Sequence, residues 1–314
     1  MKLKLTESIK LSNGKSMPIF GLGTWLSKPG EVENALRIAL DNGYRLIDTA
    51  ELYKNEEEIG NVLQEYFTNN KLKREDIFVT TKWNPRTDSE STIKKEIEKS
   101  LKRLKLSYVD LYLLHAPVTL NKNGLFDVNR SVENIWKEME EVYEAGLAKS
   151  IGVSNFSINQ VERIMKIAKI PIHNIQVEAH LYFPQFELKA IADKYNISFT
   201  AYAPLGSPGS LEIRGAKKEE NKNPLEDPIV QKLSTKYSKT PAQILMRYLI
   251  QRGMAIIPKS TNEKRIIENS QIFDFKISPE EMEEMNNINY KKRLFKFDIA
   301  KGHPEDPYAN ERNT

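Results

Sequence analysis

Four residues of the kinds that move protons stand at or just past the ends of short apolar runs: Asp48 in RLIDT, Lys82 closing IFVTTK, His115 closing VDLYLLH, and Tyr53 shortly after Asp48. An ammonium beside a phenol favours the phenolate, so Lys82 is expected to lower the Tyr53 pKa from about 10. A carboxylate beside the ammonium offsets its charge and keeps it protonated, the part expected of Asp48. Such a phenol can serve as a general acid. An imidazole next to it, His115, can orient a carbonyl oxygen and stabilise the negative charge that builds as hydride reaches the carbon. Singly, each has a plainer role: Asp48 a helix cap, Lys82 a surface charge, Tyr53 a half-buried aromatic, His115 a hydrogen-bonded core histidine. Their shared placement at strand ends is what points to chemistry.

For these side chains to meet, the runs must lie side by side. Eight of them recur along the chain, starting at Ile19, Arg45, Ile77, Val109, Ser150, Asn174, Ile197 and Met254. They are too short for helices and nearly all apolar, as strands of a parallel sheet buried on both faces are. Helical patterns separate them. Val32, Ala35, Leu36, Ala39 and Leu40 share a face that stops at Asn42-Gly43. Ile93, Ile97, Leu101 and Leu104 keep helical spacing after Thr87-x-x-Glu90, and Val132, Ile135, Trp136, Met139 and Val142 do so after Ser131. Ser157-x-x-Gln160, Thr240-Pro241-x-Gln243 and Ser278-Pro279-x-Glu281 mark further helix starts. Strand and helix alternating eight times predicts a (β/α)₈ TIM barrel, whose chemistry collects at the C-terminal ends of the strands. Residues 1–18 are expected to form a hairpin through a type I′ turn at Asn13-Gly14 that closes the barrel bottom. No linker-like shift divides residues 1–314, so one barrel domain is expected. The connection from Pro204 to about Asp227 is expected to be a flap over the active face, and the tail from about 290 to 314 to reach the substrate pocket.

Composition narrows the function classes. Hydrophobic residues are 39% and charged residues 29% of 314, with no apolar run long enough to cross a bilayer. The 47 basic and 43 acidic residues are mixed along the chain, so no stripe points to nucleic acid. The segment AKKEENKN, residues 216–223, reads as a solvated loop. The N-terminus lacks the pattern of a secretory signal, and there is no cysteine. A cytoplasmic address is expected, and redox chemistry would need a dissociable cofactor.

Seven segments together resemble the aldo-keto reductase family: GYRLIDTAELYKNEEEIG (43–60), VTTKWNP (79–85), YVDLYLLHAP (108–117), IGVSNF (151–156), IQVEAHLYFPQ (175–185), AYAPLGS (201–207) and IPKSTNEKRIIEN (257–269). The resemblance implies an NADPH-dependent carbonyl reductase, working as a monomer on a small-molecule substrate. It implies that Asp48, Tyr53, Lys82 and His115 are the catalytic tetrad, with Tyr53 as proton donor. It also implies an extended NADPH lying across the barrel mouth. Gly23 and Thr24 would border it. Ser154, Asn155 and Gln176 would bond the nicotinamide amide and Tyr202 would stack on the ring. Leu205 and Ser207 would begin the flap over the pyrophosphate. Lys259, Ser260, Arg265, Glu268 and Asn269 would surround the adenosine end. Lys259-Ser260 at a helix start, with Arg265 following, suits a 2′-phosphate and favours NADPH over NADH. A Rossmann site is not expected, because Gly21-Leu-Gly23 is followed by Leu26 where that fingerprint needs glycine.

Trp25, Leu52 and Ala116 match pocket positions. Relatives often carry Trp where this chain has Ala116, so a wider apolar cleft is expected, with Trp83 either refilling it or serving a structural role. Asn262 replaces a frequent hydroxyl near the cofactor phosphate. Other readings remain open: an NADPH-binding barrel without catalysis, a hydrolase or isomerase using Asp48 with Glu51, the latter expected to meet solvent, and a metal site at His173 and His180, which their spacing disfavours so that no metal is expected.

Overall fold

The first paired strands are β1 (Ser8–Lys10) and β2 (Ser16–Pro18), an antiparallel hairpin. Its turn is not type I′, which needs two left-handed residues: Gly14 has φ 82°, and Asn13 is not among the positive-φ residues. Gly14 N–H donates to the Leu11 carbonyl at 2.9 Å, and Leu11 N–H to the Lys15 carbonyl at 2.9 Å. The loop is thus one residue longer than expected, and one glycine suffices to reverse it. The Asn13 amide instead donates to the Lys149 carbonyl at 3.0 Å and to Ser150 Oγ at 3.1 Å, pinning the hairpin across the N-terminal ends of the barrel strands. The computed structural model describes residues 5, 7–86, 91–121, 123–211, 215 and 222–313.

The eight apolar runs form eight parallel strands: β3 (Leu22–Gly23), β4 (Leu46–Asp48), β5 (Phe78–Trp83), β6 (Leu111–Leu114), β7 (Ile151–Ser154), β8 (Asn174–Glu178), β9 (Ser198–Tyr202) and β10 (Ala255–Ile256). Each pairs with the next in chain order. The sheet closes where the Gly21 N–H reaches the Ile256 carbonyl at 2.9 Å and the Ile256 N–H reaches the Ile19 carbonyl at 2.9 Å. At that seam a Cβ on Gly23 would stand 2.6 Å from the Ile257 carbonyl oxygen, so only glycine fits. The result is the expected (β/α)₈ barrel with its hairpin.

Helices α1 (Glu31–Asp41), α2 (Glu56–Thr68), α3 (Ile93–Leu104), α4 (Val132–Glu144), α5 (Ile158–Ile167) and α6 (Phe186–Lys194) connect successive strands. Helices α7 (Pro228–Tyr237) and α8 (Pro241–Gln251) precede β10, and α9 (Glu263–Asn269) and α10 (Pro279–Asn286) follow it. In α3 the side chains Ile93, Ile97, Leu101 and Leu104 are buried, each contributing about 1.5–3 kcal/mol. Ser157, Thr240 and Ser278 make the anticipated capping boxes. Thr87 and Glu90 lie outside the described residues; the cap of α3 is Thr92, whose hydroxyl accepts from Lys95 N–H at 3.3 Å. Of the connection after β9, residues 212–214 and 216–221 also lie outside, including most of the solvated-loop segment.

Candidate active site

Asp48 ends β4, Lys82 lies in β5 and His115 follows β6, so parallel pairing brings their strand ends together. Tyr53 ends a single 3-10 turn, Glu51–Tyr53, that folds back after β4. The Lys82 ammonium is fully buried and donates to Asp48 Oδ1 at 2.5 Å, to the Thr49 carbonyl at 2.9 Å and to the Tyr53 hydroxyl at 3.4 Å. The Tyr53 and His115 rings meet edge to face, with centroids 5.7 Å apart. The second Asp48 oxygen accepts from Gln176 Nε2 at 2.7 Å. Asn55, 4% exposed, braces this corner: its amide donates to the Thr24 carbonyl and its oxygen accepts from Thr49 Oγ1, each at 2.9 Å.

Burial reverses one expectation. It raises Tyr53, and the nearby Lys82 charge, which pulls down, does not overcome it while Asp48 pushes up. The phenol is therefore above its ordinary value and keeps its proton at neutral pH, rather than being lowered from about 10. Burial alone would depress Lys82, but the charges of Asp48 and Tyr53 outweigh it and hold the ammonium protonated. His115 falls well below the usual histidine value through burial and the Lys82 charge, so its imidazole is neutral, and its Nδ1 is buried without a partner.

Residues expected to hold a dinucleotide border this cluster. Asn155, left-handed at φ 62°, donates through Nδ2 to the His115 carbonyl at 2.9 Å and to Ser154 Oγ at 3.2 Å. Its Oδ1 accepts from the Tyr202 hydroxyl at 2.7 Å. Gln176 spends its amide on Asp48, as above, and Thr24 Oγ1 donates to the Asp48 carbonyl at 2.9 Å. Gly23 serves the barrel seam. Leu205 and Ser207, the latter at φ 45°, open the connection after β9. Lys259 and Ser260 do not start a helix: α9 begins at Glu263, and Arg265 sits in its first turn. Asn262 is the cap, accepting from Arg265 N–H at 3.0 Å. Glu268 and Asn269 end α9, and Glu268 lines an open surface depression with Glu263, Lys264, Ile267 and Gln271. Desolvation lowers Lys259 and the Arg265 charge adds to it, against Glu31. Lys259 feels both the Arg265 cation and, more strongly, the Glu31 carboxylate, and Arg265 is in no ion pair among the described residues; two cations acting on one another have the chemistry of an anion site, which fits a nucleotide phosphate.

The mouth is walled differently from the sequence expectation. Ala116 opens no wide cleft: it is 0% exposed and packs with Val118, Ala300 and Phe297. Trp83 is 1% exposed, with the Arg130 guanidinium 5.6 Å above its ring, in the structural role. Trp25 meets Phe295, and Phe295 meets Tyr202, both at 5.6 Å between centroids. Leu52 is partly buried beside Tyr53. Glu51 does not simply face solvent; it accepts from Asn84 Nδ2 at 2.5 Å and pairs with Lys54. His173 and His180 do not converge: the first accepts from Ile151 N–H at 3.0 Å at the N-terminal end of the barrel, the second meets Glu178 at 2.9 Å past β8. Sequence reasoning missed Asn55, Glu178 and Phe295. For Asn55 a signal existed, a polar residue just before Glu56-Glu57-Glu58, and Phe295 lies in the tail expected to reach the substrate pocket without being singled out there; Glu178 carried none.

Residues 19–290 match the model of the aldo/keto reductase family. The chain is 42% identical over 295 residues to aldo-keto reductase family 1 member A1 of Gallus gallus, covering 90% of this chain and 89% of that protein. It is 41% identical over 301 residues to aldose reductase C of Dictyostelium discoideum, covering 90% and 89%. The solved aldose reductase of Schistosoma japonicum superposes with a TM-score of 0.87 at 42% identity, covering 97% of this chain and 99% of that one. With this barrel, these strand-end side chains and matches of this extent, the chain belongs to the aldo/keto reductase family and is an NADP-dependent oxidoreductase that reduces carbonyl compounds.

Proposed function

We propose that the chain reduces aldehydes or ketones to alcohols with NADPH in preference to NADH, and that Tyr53 gives the proton to the carbonyl oxygen. Bound NADPH supplies the hydride. The carbonyl oxygen sits between the Tyr53 hydroxyl and the neutral His115 imidazole, both donors, which stabilise the negative charge developing there. As Tyr53 releases its proton, the phenolate left behind is held by the Lys82 ammonium, whose charge Asp48 keeps in place. Ser154, Asn155 and Gln176 would orient the nicotinamide amide, Tyr202 would lie against the ring, Leu205 and Ser207 would cover the pyrophosphate, and Gly23 and Thr24 would line the near wall. Lys259, Ser260 and Arg265 would take the 2′-phosphate, with Glu268 and Asn269 at the adenine end. Trp25, Leu52 and the tail from about residue 290 would form the carbonyl pocket of one barrel unit spanning 1–314. The reading includes a monomer working in the cytoplasm; among the described residues no helix is long and apolar enough to cross a membrane.

The observation that carries the proposal is the buried ammonium of Lys82 reaching both Asp48 and the Tyr53 hydroxyl. The test is NADPH oxidation followed with a panel of aldehydes and ketones, for the natural chain and for Tyr53→Phe. Loss of the general acid should lower kcat about 10²–10⁴-fold while NADPH affinity stays within about threefold. Unchanged turnover in the variant sinks the assignment of Tyr53, and tight NADPH binding without turnover of any carbonyl would leave a binding barrel instead.

A further inference from the structure

A carboxylate at the end of β8 has partners that neither barrel closure nor the tetrad uses. Glu178 is 0% exposed. Its Oε1 lies 2.9 Å from His180 Nε2 and accepts from Leu294 N–H at 2.7 Å, while Oε2 accepts from Phe295 N–H at 2.9 Å. Two successive backbone amides of the tail thus end on one side chain of the barrel. The same stretch is bracketed by Lys292 N–H donating to the Tyr182 carbonyl at 2.8 Å. It is bracketed again by the Arg293 guanidinium, 3.6 Å from the Tyr308 ring and 4.4 Å from that of Phe183. With the backbone held there, the Phe295 ring stands edge-on to both Trp25 and Tyr202.

Resting on the function proposed above, we infer that Glu178 is a positioning residue: it fixes the tail backbone so that Phe295 forms the wall of the carbonyl pocket between Trp25 and Tyr202. The carboxylate gives each of two adjacent N–H groups its own oxygen. A glutamine keeps the shape but turns an N–H₂ toward one of the donors. The pocket wall is an aromatic edge, so the substrates that depend on it are carbonyl compounds bearing a ring, whereas a short aliphatic aldehyde reaches the tetrad without touching it.

The test compares Glu178→Gln, Phe295→Ala and the double variant, with benzaldehyde and propanal as substrates. Separately, it follows the rate of tryptic cleavage in the basic stretch Lys291 to Lys296 without cofactor. Losing one charge-assisted hydrogen bond should raise KM for benzaldehyde about tenfold with kcat within about twofold, leaving propanal unaffected. Phe295→Ala should reproduce that split, and the double variant should be no worse than Phe295→Ala alone. Tryptic cleavage should quicken about tenfold in Glu178→Gln. Should that variant not fold, Leu294→Pro, which deletes one amide donor on the tail, takes its place with the same substrate expectations, its cleavage being read at Lys291, Lys292 and Lys296 because trypsin does not cut between Arg293 and proline. Cleavage at the natural rate, equal effects on the two aldehydes, or effects that add in the double variant would overturn the inference. A natural chain that reduces no carbonyl overturns the parent reading instead, and the tryptic rates then decide whether Glu178 holds the tail.

Discussion

Replacing Lys82 with methionine, nearly the same length but uncharged, isolates the electrostatics of the cluster. The pair with Asp48 is 2.5 Å between heavy atoms, with side chains 0% and 3% exposed. Unit charges about 3 Å apart attract by about 5 kcal/mol at an effective dielectric of about 20, and each buried ion forfeits several kcal/mol of hydration, so the intact pair nearly balances. Lys82→Met removes the attraction and leaves the Asp48 carboxylate buried with only the Gln176 amide, which should cost about 3–5 kcal/mol. Asp48→Asn added to it removes the stranded charge and should bring the loss back to about 1–2 kcal/mol, a coupling of about 2 kcal/mol or more. Urea unfolding of the two single variants and the double measures this cycle. The sign with pH gives a second reading. Burial already raises Asp48 against Lys82, and without the ammonium it rises further. A carboxyl whose folded value lies above its unfolded value favours folding below the unfolded value and loses that as pH rises through the folded one. The Lys82→Met deficit should therefore shrink as pH is lowered from 7 toward 5. Losses that simply add, or a deficit that grows on acidification, would show that no charge is stranded and refute the reasoning.

Three other outcomes are expected. Arg265→Ala removes one of two cations from the anion site, so NADPH dissociation constants from fluorescence quenching should rise about 10–100-fold while NADH is unchanged; equal shifts would place Arg265 elsewhere. His173, 1% exposed and lowered by burial to about 4, resists protonation in the folded state, so stability is complete above about 6.5 and falls as pH drops toward 4, by up to about 3 kcal/mol. Urea midpoints at pH 7, 5.5 and 4 should flatten in His173→Gln, and an unchanged slope counts against it. Ala116→Trp forces a large ring against Ala300 and Phe297; it should cost about 1–3 kcal/mol and speed tryptic cleavage at Lys296 and Lys301, whereas a natural cleavage rate would mean the tail does not rest there.

What could be read in the sequence follows the range of the interactions. Strands β3 to β10 were legible because parallel strands buried on both faces become short runs rich in apolar and β-branched residues; in β5 all six residues are buried, Thr80, Thr81 and Lys82 included. Caps at Ser157, Thr240 and Ser278 were legible because each is a bargain between residues three apart. The Asn13-Gly14 turn was misjudged because the dipeptide does not reveal loop length, and length selects the turn. The tetrad residues were legible as types at strand ends, yet the sign of the Tyr53 shift was not. Desolvation depends on everything packed over the phenol, and that is decided by the folded chain.

The tail is where reading by position fails for a physical reason. Ala116 reads as a missing wall, because the family position is compared alone. In the fold its neighbours are Ala300 and Phe297, which arrive from the far end of the chain and fill the space. Nothing local marks the residues that bring them there. Gln160 uses one end of its amide to complete the α5 capping box and the other to donate to the Glu305 carbonyl at 3.1 Å. Arg163 joins Glu133 to Glu305, and Glu178 takes the amides of Leu294 and Phe295. Each of these barrel residues would be scored as a cap or a surface charge from its own neighbourhood. The tail is therefore held by pairs, one member in the barrel and one in the tail, and if the proposed pocket is formed there, a change on either side should shift selectivity only as far as its partner allows.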